Sequence, residues 1–262
     1  MAIDAASNAR TAAILGLETQ AGAYLARLLL ARGYRVACTA ARPATGLAKL
    51  GVADEVALYP DIASALTILP AEIYDLRGPT PTRTADTAAL LALVAGRPAR
   101  VFSAGPGPAP DAATALVEAA RHAGMFAVTG RMFAHESRLN EDASSITRIV
   151  AASAADVVPN ADDLATATDC GWTAEYVDPM WRMLQQASPG DVVIATGRVL
   201  TGHDVARHAA AYFGRDLPPL TDVAISGEVG DPATARAALG WSATTWGRDL
   251  VRILCEGVAE KA

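Results

Sequence analysis

The first part of the chain alternates short apolar runs with segments of helical periodicity. The apolar run Thr11–Leu15 is followed by Gly16, and Gln20–Arg32 then places apolar residues at helical spacing. Gly33 is expected to end this helix, and Tyr34–Thr39 predicts a second strand. A strand, a glycine turn, a helix and a strand within about thirty residues have the length of a βαβ unit.

The same alternation continues as far as about residue 137. Further strands are predicted at Glu55–Tyr59, Glu72–Leu76, Arg100–Ala104 and Met125–Phe133, and helices at Arg83–Val94 and Asp111–Ala123. Strands that alternate with helices indicate a parallel sheet covered on both faces. The glycine- and proline-rich segment Ala104–Pro110 is expected to stop both strand and helix.

Beyond about Ser137 the alternation is replaced by a mixed pattern. One strand is predicted at Asp191–Ala195. Helices are predicted at Ala143–Ala154, Thr173–Gln186, Thr201–Phe213, Pro232–Leu239 and Thr244–Ala259. The pattern therefore predicts a parallel-sheet domain over residues 1–136 and a smaller mixed α/β region over residues 137–262, interleaved with the first.

Composition narrows the class of protein. Hydrophobic residues make up 52% of the chain, charged residues 19%, and the mean hydropathy is +0.22, which excludes a largely disordered chain. The net charge of 22 − 28 = −6, without a basic run, argues against a nucleic-acid partner. Cys38, Cys170 and Cys255 have no metal-binding spacing and fit reduced thiols. With no apolar stretch of about 20 residues and no visible secretory signal, we expect a cytoplasmic protein without a membrane partner.

Several segments, in order along the chain, resemble the GDP-mannose 4,6-dehydratases, which are extended short-chain dehydrogenase/reductases. GLETQAGAYLARLLLARGY (Gly16–Tyr34) resembles the family's glycine loop and first helix, and FAVTGRMFAHES (Phe126–Ser137) resembles its HES segment. SITRI (Ser145–Ile149), DCGWTAEYVDPMWRMLQQASPGDVVIATG (Asp169–Gly197) and GDPATARAALGW (Gly230–Trp241) resemble later family motifs.

The resemblance implies a Rossmann-type doubly wound parallel sheet that binds NADP and a smaller substrate-type region that binds GDP-mannose. In that family, C4 of the sugar is oxidised, water leaves across C5–C6, and hydride returns to C6. A Tyr-x-x-x-Lys pair supplies the base and the lysine that lowers its pKa. A neighbouring Thr or Ser orients the hydroxyl, and a Glu handles the proton at C5.

The catalytic pair of that family is missing from this chain. Its two lysines, Lys49 and Lys261, do not follow any tyrosine at a spacing of four. Arginine cannot replace the lysine, because its planar, permanently charged group has a different geometry. The family's Ser-Thr-Ser-Glu stretch corresponds to Gly105–Pro108. Because loss of one acid–base group costs about 10²–10⁴-fold in rate, loss of the whole set predicts an inactive protein.

The glycine loop is altered at its centre. Gly16 and Gly22 occupy the first and last positions of the GxxGxxG pattern, but Thr19 takes the middle one, where a Cβ intrudes on the pyrophosphate. Arg42 matches an arginine for the adenosine 2′-phosphate, or it is a solvated loop residue. Asp61 matches an aspartate near adenine, or it caps a helix. The sequence thus predicts a weakened NADP site.

Few substrate contacts of the family remain. His135, Glu136 and Ser137 keep the HES motif, although a structural role for His135 stays open, and Arg148 persists beside Ile149, which replaces the family's lysine. No zinc spacing, Walker loop or nucleophile elbow suggests other chemistry, and no metal is expected.

Two interpretations remain open. In the first, the chain is a catalytically inactive homologue that acts as a binding or regulatory subunit. In the second, it is an active nucleotide-sugar enzyme that uses His135, Glu136 and Asp169. The family's pairing through the helices after the fourth and fifth strands predicts a homodimer, or a heteromer with an intact homologue, through Arg83–Val94 and Asp111–Ala123.

Overall fold

The computed structural model describes residues 10–40, 44–140, 144–217 and 227–260. The chain divides into two compact units, one of Met1–Arg131 and Val177–Val192 and the other of Met132–Tyr176 and Val193–Ala262. The domain boundary after residue 136 stays a proposal about the organisation of the chain.

Within the described residues, a seven-stranded sheet has the order β3-β2-β1-β4-β5-β6-β9, with parallel pairing between neighbours from β3 to β5. Its strands are β1 Thr11–Leu15, β2 Arg35–Thr39, β3 Val56–Leu58, β4 Glu72–Asp75, β5 Arg100–Pro106, β6 Phe126–Met132 and β9 Val192–Ile194. The order reverses between β1 and β4, and ligands of open parallel sheets bind outside the carboxyl ends at such a point. The predicted Rossmann-type doubly wound sheet is confirmed.

Helices α1 Gln20–Ala31, α4 Arg83–Val94 and α5 Ala112–His122 follow strands as the periodicity predicts. Two short helices, α2 Thr45–Lys49 and α3 Ile62–Ala65, were not predicted from the sequence. The apolar face of α4 packs on the sheet, where Leu90 and Val94 join Leu15, Ile73 and Val101 in one buried cluster. The bounds of β1 and α4 are those predicted from the sequence.

The second unit contains a three-stranded sheet of order β10-β8-β7, formed by β7 Ala134–Glu136, β8 Ala167–Trp172 and β10 Val199–Thr201. Strand β8 pairs in parallel with β7 and antiparallel with β10. The remaining helices are α6 Ser145–Ala154, α7 Ala161–Leu164, α8 Thr173–Leu184, α9 Gly202–Phe213, α10 Ala233–Leu239 and α11 Gly247–Ala259. Helices α6, α9 and α11 share a buried core with Cys170 and Leu200.

The structure corrects two predictions. Strand β5 continues to Pro106 rather than ending at Ala104. Gly105 lies within the strand and does not end it. A Cβ there would lie 2.6 Å from the methyl carbon of Thr129, so the glycine is explained by a close approach of the two chain segments. Strands β7, β8 and β10 add to the strand predicted at Asp191–Ala195. Strands β7 and β10 have three residues each, too few to show a periodicity, and β8 carries Thr168 and Asp169 within its six residues.

Helix α8 crosses the division between the units and contains Pro179. None of the helices in the described ranges has the length and apolar character needed to cross a membrane.

Candidate functional site

A cavity of about 420 Å³ opens at the carboxyl edge of the first unit's sheet. Its lining comes from residues that follow four neighbouring strands: Gly16 and Glu18 after β1, Thr39 at the end of β2, Asp61 after β3, and Arg77 after β4. This is the reversal point of the strand order, where the physics of open parallel sheets places a ligand.

The two retained glycines of the β1–α1 turn are required by the backbone itself. Gly16 has a φ of +89°, and a Cβ there would lie 2.8 Å from the backbone nitrogen of Arg77. A Cβ on Gly22 would lie 2.6 Å from the carbonyl oxygen of Gly16. Because backbone atoms cannot move aside as a flexible side chain can, both positions exclude any other residue, whether or not a ligand binds.

Thr19 changes the turn chemically as well as sterically. It is the N-cap of α1: its Oγ1 accepts a hydrogen bond from the backbone nitrogen of Gly22 at 3.0 Å and donates to the carbonyl oxygen of Gly16 at 2.8 Å. The first N–H groups of a helix are the donors that bind phosphate. One of these donors is therefore already used within the protein.

Asp61 both caps a helix and lines the cavity. Its Oδ1 accepts a hydrogen bond from the backbone nitrogen of Ser64 at 2.7 Å at the start of α3. This hydrogen bond lowers the pKa of Asp61, which keeps the carboxylate charged. Its role near adenine stays a prediction, and Arg42 lies outside the described residues.

A buried ionic network covers the carboxyl ends of β4 and β5. Asp75 is fully buried and accepts two hydrogen bonds from Arg77, at 2.8 and 2.9 Å. Arg83 donates to the same carboxylate at 3.2 Å, to Oγ of Ser103 at 2.8 Å and to the carbonyl oxygen of Ala104 at 2.6 Å. The sequence analysis did not predict this network. The one sequence signal for it was the pair of opposite charges at the end of the strand, with Asp75 as the last residue of β4 and Arg77 two residues later.

An arginine holds the segment Gly105–Pro108, which the resemblance matches to the family's Ser-Thr-Ser-Glu stretch. Nη2 of Arg131, on β6, donates to the carbonyl oxygens of Gly107 and Pro108 at 2.7 and 2.9 Å. Gly105 leaves no space for a side chain, and the residues Gly105–Pro108 carry neither a hydroxyl nor a carboxyl group.

The HES residues lie in the second unit, at the end of β7. Nδ1 of His135 lies 3.0 Å from the carbonyl oxygen of Phe133, and its ring centroid lies 5.3 Å from that of Tyr176. Burial lowers the pKa of His135, so the ring is neutral at neutral pH. Buried Glu136 accepts a hydrogen bond from Nδ2 of Asn140 at 2.7 Å.

Ser137 and Arg148 also bind neighbouring protein groups. Oγ of Ser137 accepts a hydrogen bond from the backbone nitrogen of Leu139 at 3.1 Å. Arg148 forms an ion pair with Asp163, and its hydrogen bonds lower the pKa of that carboxyl group. Ile149 beside it belongs to the core.

Asp169, a reactive candidate in the second interpretation, is fully buried on β8. Its carboxylate accepts hydrogen bonds from the backbone nitrogen and Oγ1 of Thr196 at 2.8 and 2.7 Å, and from the backbone nitrogens of Gly197 and Gly230 at 2.9 and 3.2 Å. This carboxylate therefore joins β8 to the segment of Thr196 and Gly197 and to the segment of Gly230.

The structure brings only part of the predicted site together. Gly16 and Asp61 line one cavity, Thr19 and Gly22 form the start of the helix beside it, and the HES residues and Arg148 belong to the other unit. Throughout the described ranges, no group of three or more His, Cys, Asp or Glu side chains is arranged to hold a metal ion.

Solved structures share this fold. The UDP-glucose 4-epimerase of Thermotoga maritima superimposes with a TM-score of 0.82 at 13% identity, over 96% of this chain and 99% of that one. The dTDP-glucose 4,6-dehydratase of Bacillus anthracis, solved in complex with NAD, also gives 0.82, at 10% identity over 96% and 97% of the two chains. The chain therefore shares the fold of these two proteins.

Sequence comparison identifies the relatives more closely. A family model described as GDP-mannose 4,6 dehydratase matches residues 111–224. GDP-mannose 4,6 dehydratase 2 of Caenorhabditis elegans is 31% identical over 45% of this chain and 38% of its own length. The GDP-mannose 4,6-dehydratase of Sinorhizobium fredii is 30% identical over 52% and 47%. The chain is thus related to the GDP-mannose 4,6-dehydratases, as its motifs predicted, and the match spans less than half the length of each of these two relatives.

Proposed function

We propose that this chain is a catalytically inactive relative of the GDP-mannose 4,6-dehydratases that acts as a binding or regulatory subunit. It would bind a nucleotide or a nucleotide sugar of the GDP-mannose type without converting it. It would work in the cytoplasm, as a homodimer or as a heteromer with an intact homologue.

One observation carries this proposal: the place of the catalytic groups is occupied by a different structure. No tyrosine of the chain is followed by a lysine four residues later. In the described part of the chain, Gly105–Pro108 form the end of β5 and the two residues after it and carry no catalytic side chain, and Arg131 holds the carbonyl oxygens of Gly107 and Pro108. A single substitution cannot restore the set, since a side chain on Gly105 would collide with Thr129.

The cavity at the carboxyl edge supports a retained binding role. It keeps the turn after β1 and the charged Asp61, and some of the solved structures with this fold are described as complexes with NAD or with UDP-glucose. Thr19 uses the N–H of Gly22, which supports a weakened NADP site.

The alternative is an active NAD(P)-dependent nucleotide-sugar dehydratase that uses divergent residues. The retained HES motif favours it. Against it, His135 and Glu136 are engaged with Phe133 and Asn140, and Asp169 is enclosed by four hydrogen bonds.

A turnover assay tests the proposal. Purified protein is incubated with GDP-mannose and NADP⁺, and the products are separated and identified by mass spectrometry, with an intact GDP-mannose 4,6-dehydratase as the positive control. We expect no GDP-4-keto-6-deoxymannose above the background without enzyme, because the acid–base groups worth about 10²–10⁴-fold each are absent.

Time-dependent formation of the keto sugar would overturn the proposal. In that case Glu136→Gln separates the alternative from contamination: it stops turnover if the HES residues react, whereas Asp162→Gln, which changes an exposed carboxylate of the same unit, leaves turnover intact.

A further inference from the structure

We propose that the cavity at the carboxyl edge of the first unit binds a single nucleotide, a nucleoside diphosphate, rather than a dinucleotide. This inference rests on the proposed absence of catalysis, since a ligand without nicotinamide cannot accept a hydride. It identifies Arg77 as the residue that binds the phosphates.

The two halves of the sheet differ at their carboxyl ends. A doubly wound sheet binds a dinucleotide across the reversal point, with one mononucleotide on each half. The half formed by β1, β2 and β3 carries the cavity of about 420 Å³. The half formed by β4 and β5 carries the buried network of Asp75, Arg83 and Ser103, in which Arg83 is 7% exposed.

Arg83 covers the ends of both strands of that second half. Its guanidinium donates to the carbonyl oxygens of Arg77 and Ala104, both at 2.6 Å, in addition to the side chains of Asp75 and Ser103. Four acceptors hold the group, so moving it aside for a second nucleotide would break all four hydrogen bonds and leave Asp75 with one cation.

The guanidinium of Arg77 is fixed on one edge by Asp75, and its Nη1 can bind an anion in the cavity. Its Nε and Nη2 are bound to the carboxylate of Asp75, which fixes the plane of the guanidinium. Nη2 also donates to the carbonyl oxygen of Asp86 at 3.3 Å, and Nη1 forms an ion pair with Oδ1 of Asp86 at 3.9 Å. Because that distance is longer than a hydrogen bond, Nη1 can still donate to a ligand. The side chain is 20% exposed and lines the cavity.

The polar groups of the cavity suit the parts of a nucleoside phosphate. Arg77 and Arg83 balance the charges of Asp75 and Asp86, so the contact of a phosphate with Arg77 rests on the N–H donors of its guanidinium and not on an excess of positive charge. Glu18 and Asp61 line the same cavity, and carboxylates accept hydrogen bonds from the hydroxyl and amino groups of a nucleoside. Arg77 thereby compensates for the helix N–H that Thr19 uses.

Calorimetric titrations in magnesium-free buffer test the wild-type protein with adenosine, AMP, ADP and NAD⁺, and with 2′,5′-ADP and NADP⁺ as a second matched pair. We expect ADP to bind at least about tenfold more tightly than adenosine, as a charge-assisted contact provides. NAD⁺ should bind no more tightly than ADP, and NADP⁺ no more tightly than 2′,5′-ADP, within about threefold.

Binding of either dinucleotide about tenfold more tightly than its mononucleotide would overturn the inference, because the nicotinamide half would then contribute. Absence of ADP binding at millimolar concentration would overturn it as well. Neither result affects the turnover assay, so failure of this inference and failure of the proposed function are distinguishable.

A variant tests the assignment of Arg77. Arg77→Met should lower ADP affinity about tenfold and leave adenosine affinity unchanged, whereas the exposed Arg97→Met serves as a control that changes neither. Equal losses for ADP and adenosine would contradict the assignment. The phosphate series on the wild-type protein remains decisive if Arg77→Met does not fold.

Discussion

At the scale of single residues, several candidate site residues make structural contacts within the protein. Thr19 caps α1, Asp61 caps α3, and Arg148 binds Asp163. Each of these polar groups has a partner within the protein, since caps and ion pairs satisfy helix ends and charges at the surface as well as in the core. Residue type at a motif position therefore does not decide whether that residue meets a ligand.

Asp169 gives a direct test of this view. Asp169→Asn replaces an acceptor of four hydrogen bonds by an amide whose NH₂ faces N–H donors. We expect the free energy of unfolding to fall by about 3 kcal/mol, measured by urea denaturation followed by tryptophan fluorescence. The exposed Asp162→Asn should change it by less than about 0.5 kcal/mol. A stable Asp169→Asn protein would show that the carboxylate is kept for another reason.

At the scale of elements, the glycines of the β1–α1 turn have a structural reason that does not depend on a ligand. Gly16 allows the close approach of β1 to the end of β4, and Gly22 allows the close approach of α1 to the turn after β1. Only the middle position, which makes room for phosphate, has changed, to Thr19. The pattern thus reports the fold more reliably than it reports the cofactor.

This explanation predicts that Gly22→Ala destabilises the protein without any ligand present. A Cβ at this position would meet the carbonyl oxygen of Gly16 at 2.6 Å and Cα of Leu17 at 2.8 Å. Overpacking against backbone should lower the free energy of unfolding by about 2 kcal/mol or more, measured in urea. Gly78→Ala is the matched control, since a Cβ there has nothing within 4 Å. Equal stability of the two variants would mean that the glycine is kept for a ligand.

At the scale of the whole molecule, the fold is shared with proteins of very different sequence. The chain superimposes on a UDP-glucose 4-epimerase and a dTDP-glucose 4,6-dehydratase over nearly their whole length at 10–13% identity. A fold depends on apolar pattern and close-packed glycines, and these tolerate wide substitution. Catalysis depends on a few groups in defined positions, so the fold by itself does not decide activity.

The proposed dimer belongs to this scale. Helices α4 and α5 contact each other, and Leu93 on α4 is 42% exposed. Light scattering after size-exclusion chromatography should give about twice the chain mass of 27.0 kDa. Leu93→Glu should shift the protein to the monomer, because association would bury an unpaired charge. The control Val158→Glu changes an apolar residue of the second unit that is 62% exposed, and it should leave the dimer intact. A monomeric wild-type protein would contradict the pairing.

The sequence predicted much of the architecture because the relevant signals are local. The apolar run at Thr11–Leu15 and the helical periodicity of Arg83–Val94 gave the bounds of β1 and α4. Strands β7 and β10 were missed because three residues each carry no periodicity, and they pair only with β8, which lies far away in the sequence.

The candidate site was predicted only in part, for the same reason. Gly16 and Asp61 follow strands, and the position after a parallel strand is defined by the sequence alone. The lost Tyr-x-x-x-Lys pair is likewise a fact of the sequence. The network of Asp75, Arg77, Arg83 and Ser103 depends on the meeting of two strand ends and a helix start, which only the tertiary structure decides. Local pattern determines which elements form, whereas long-range packing determines which charged groups find partners and which of them still face a ligand.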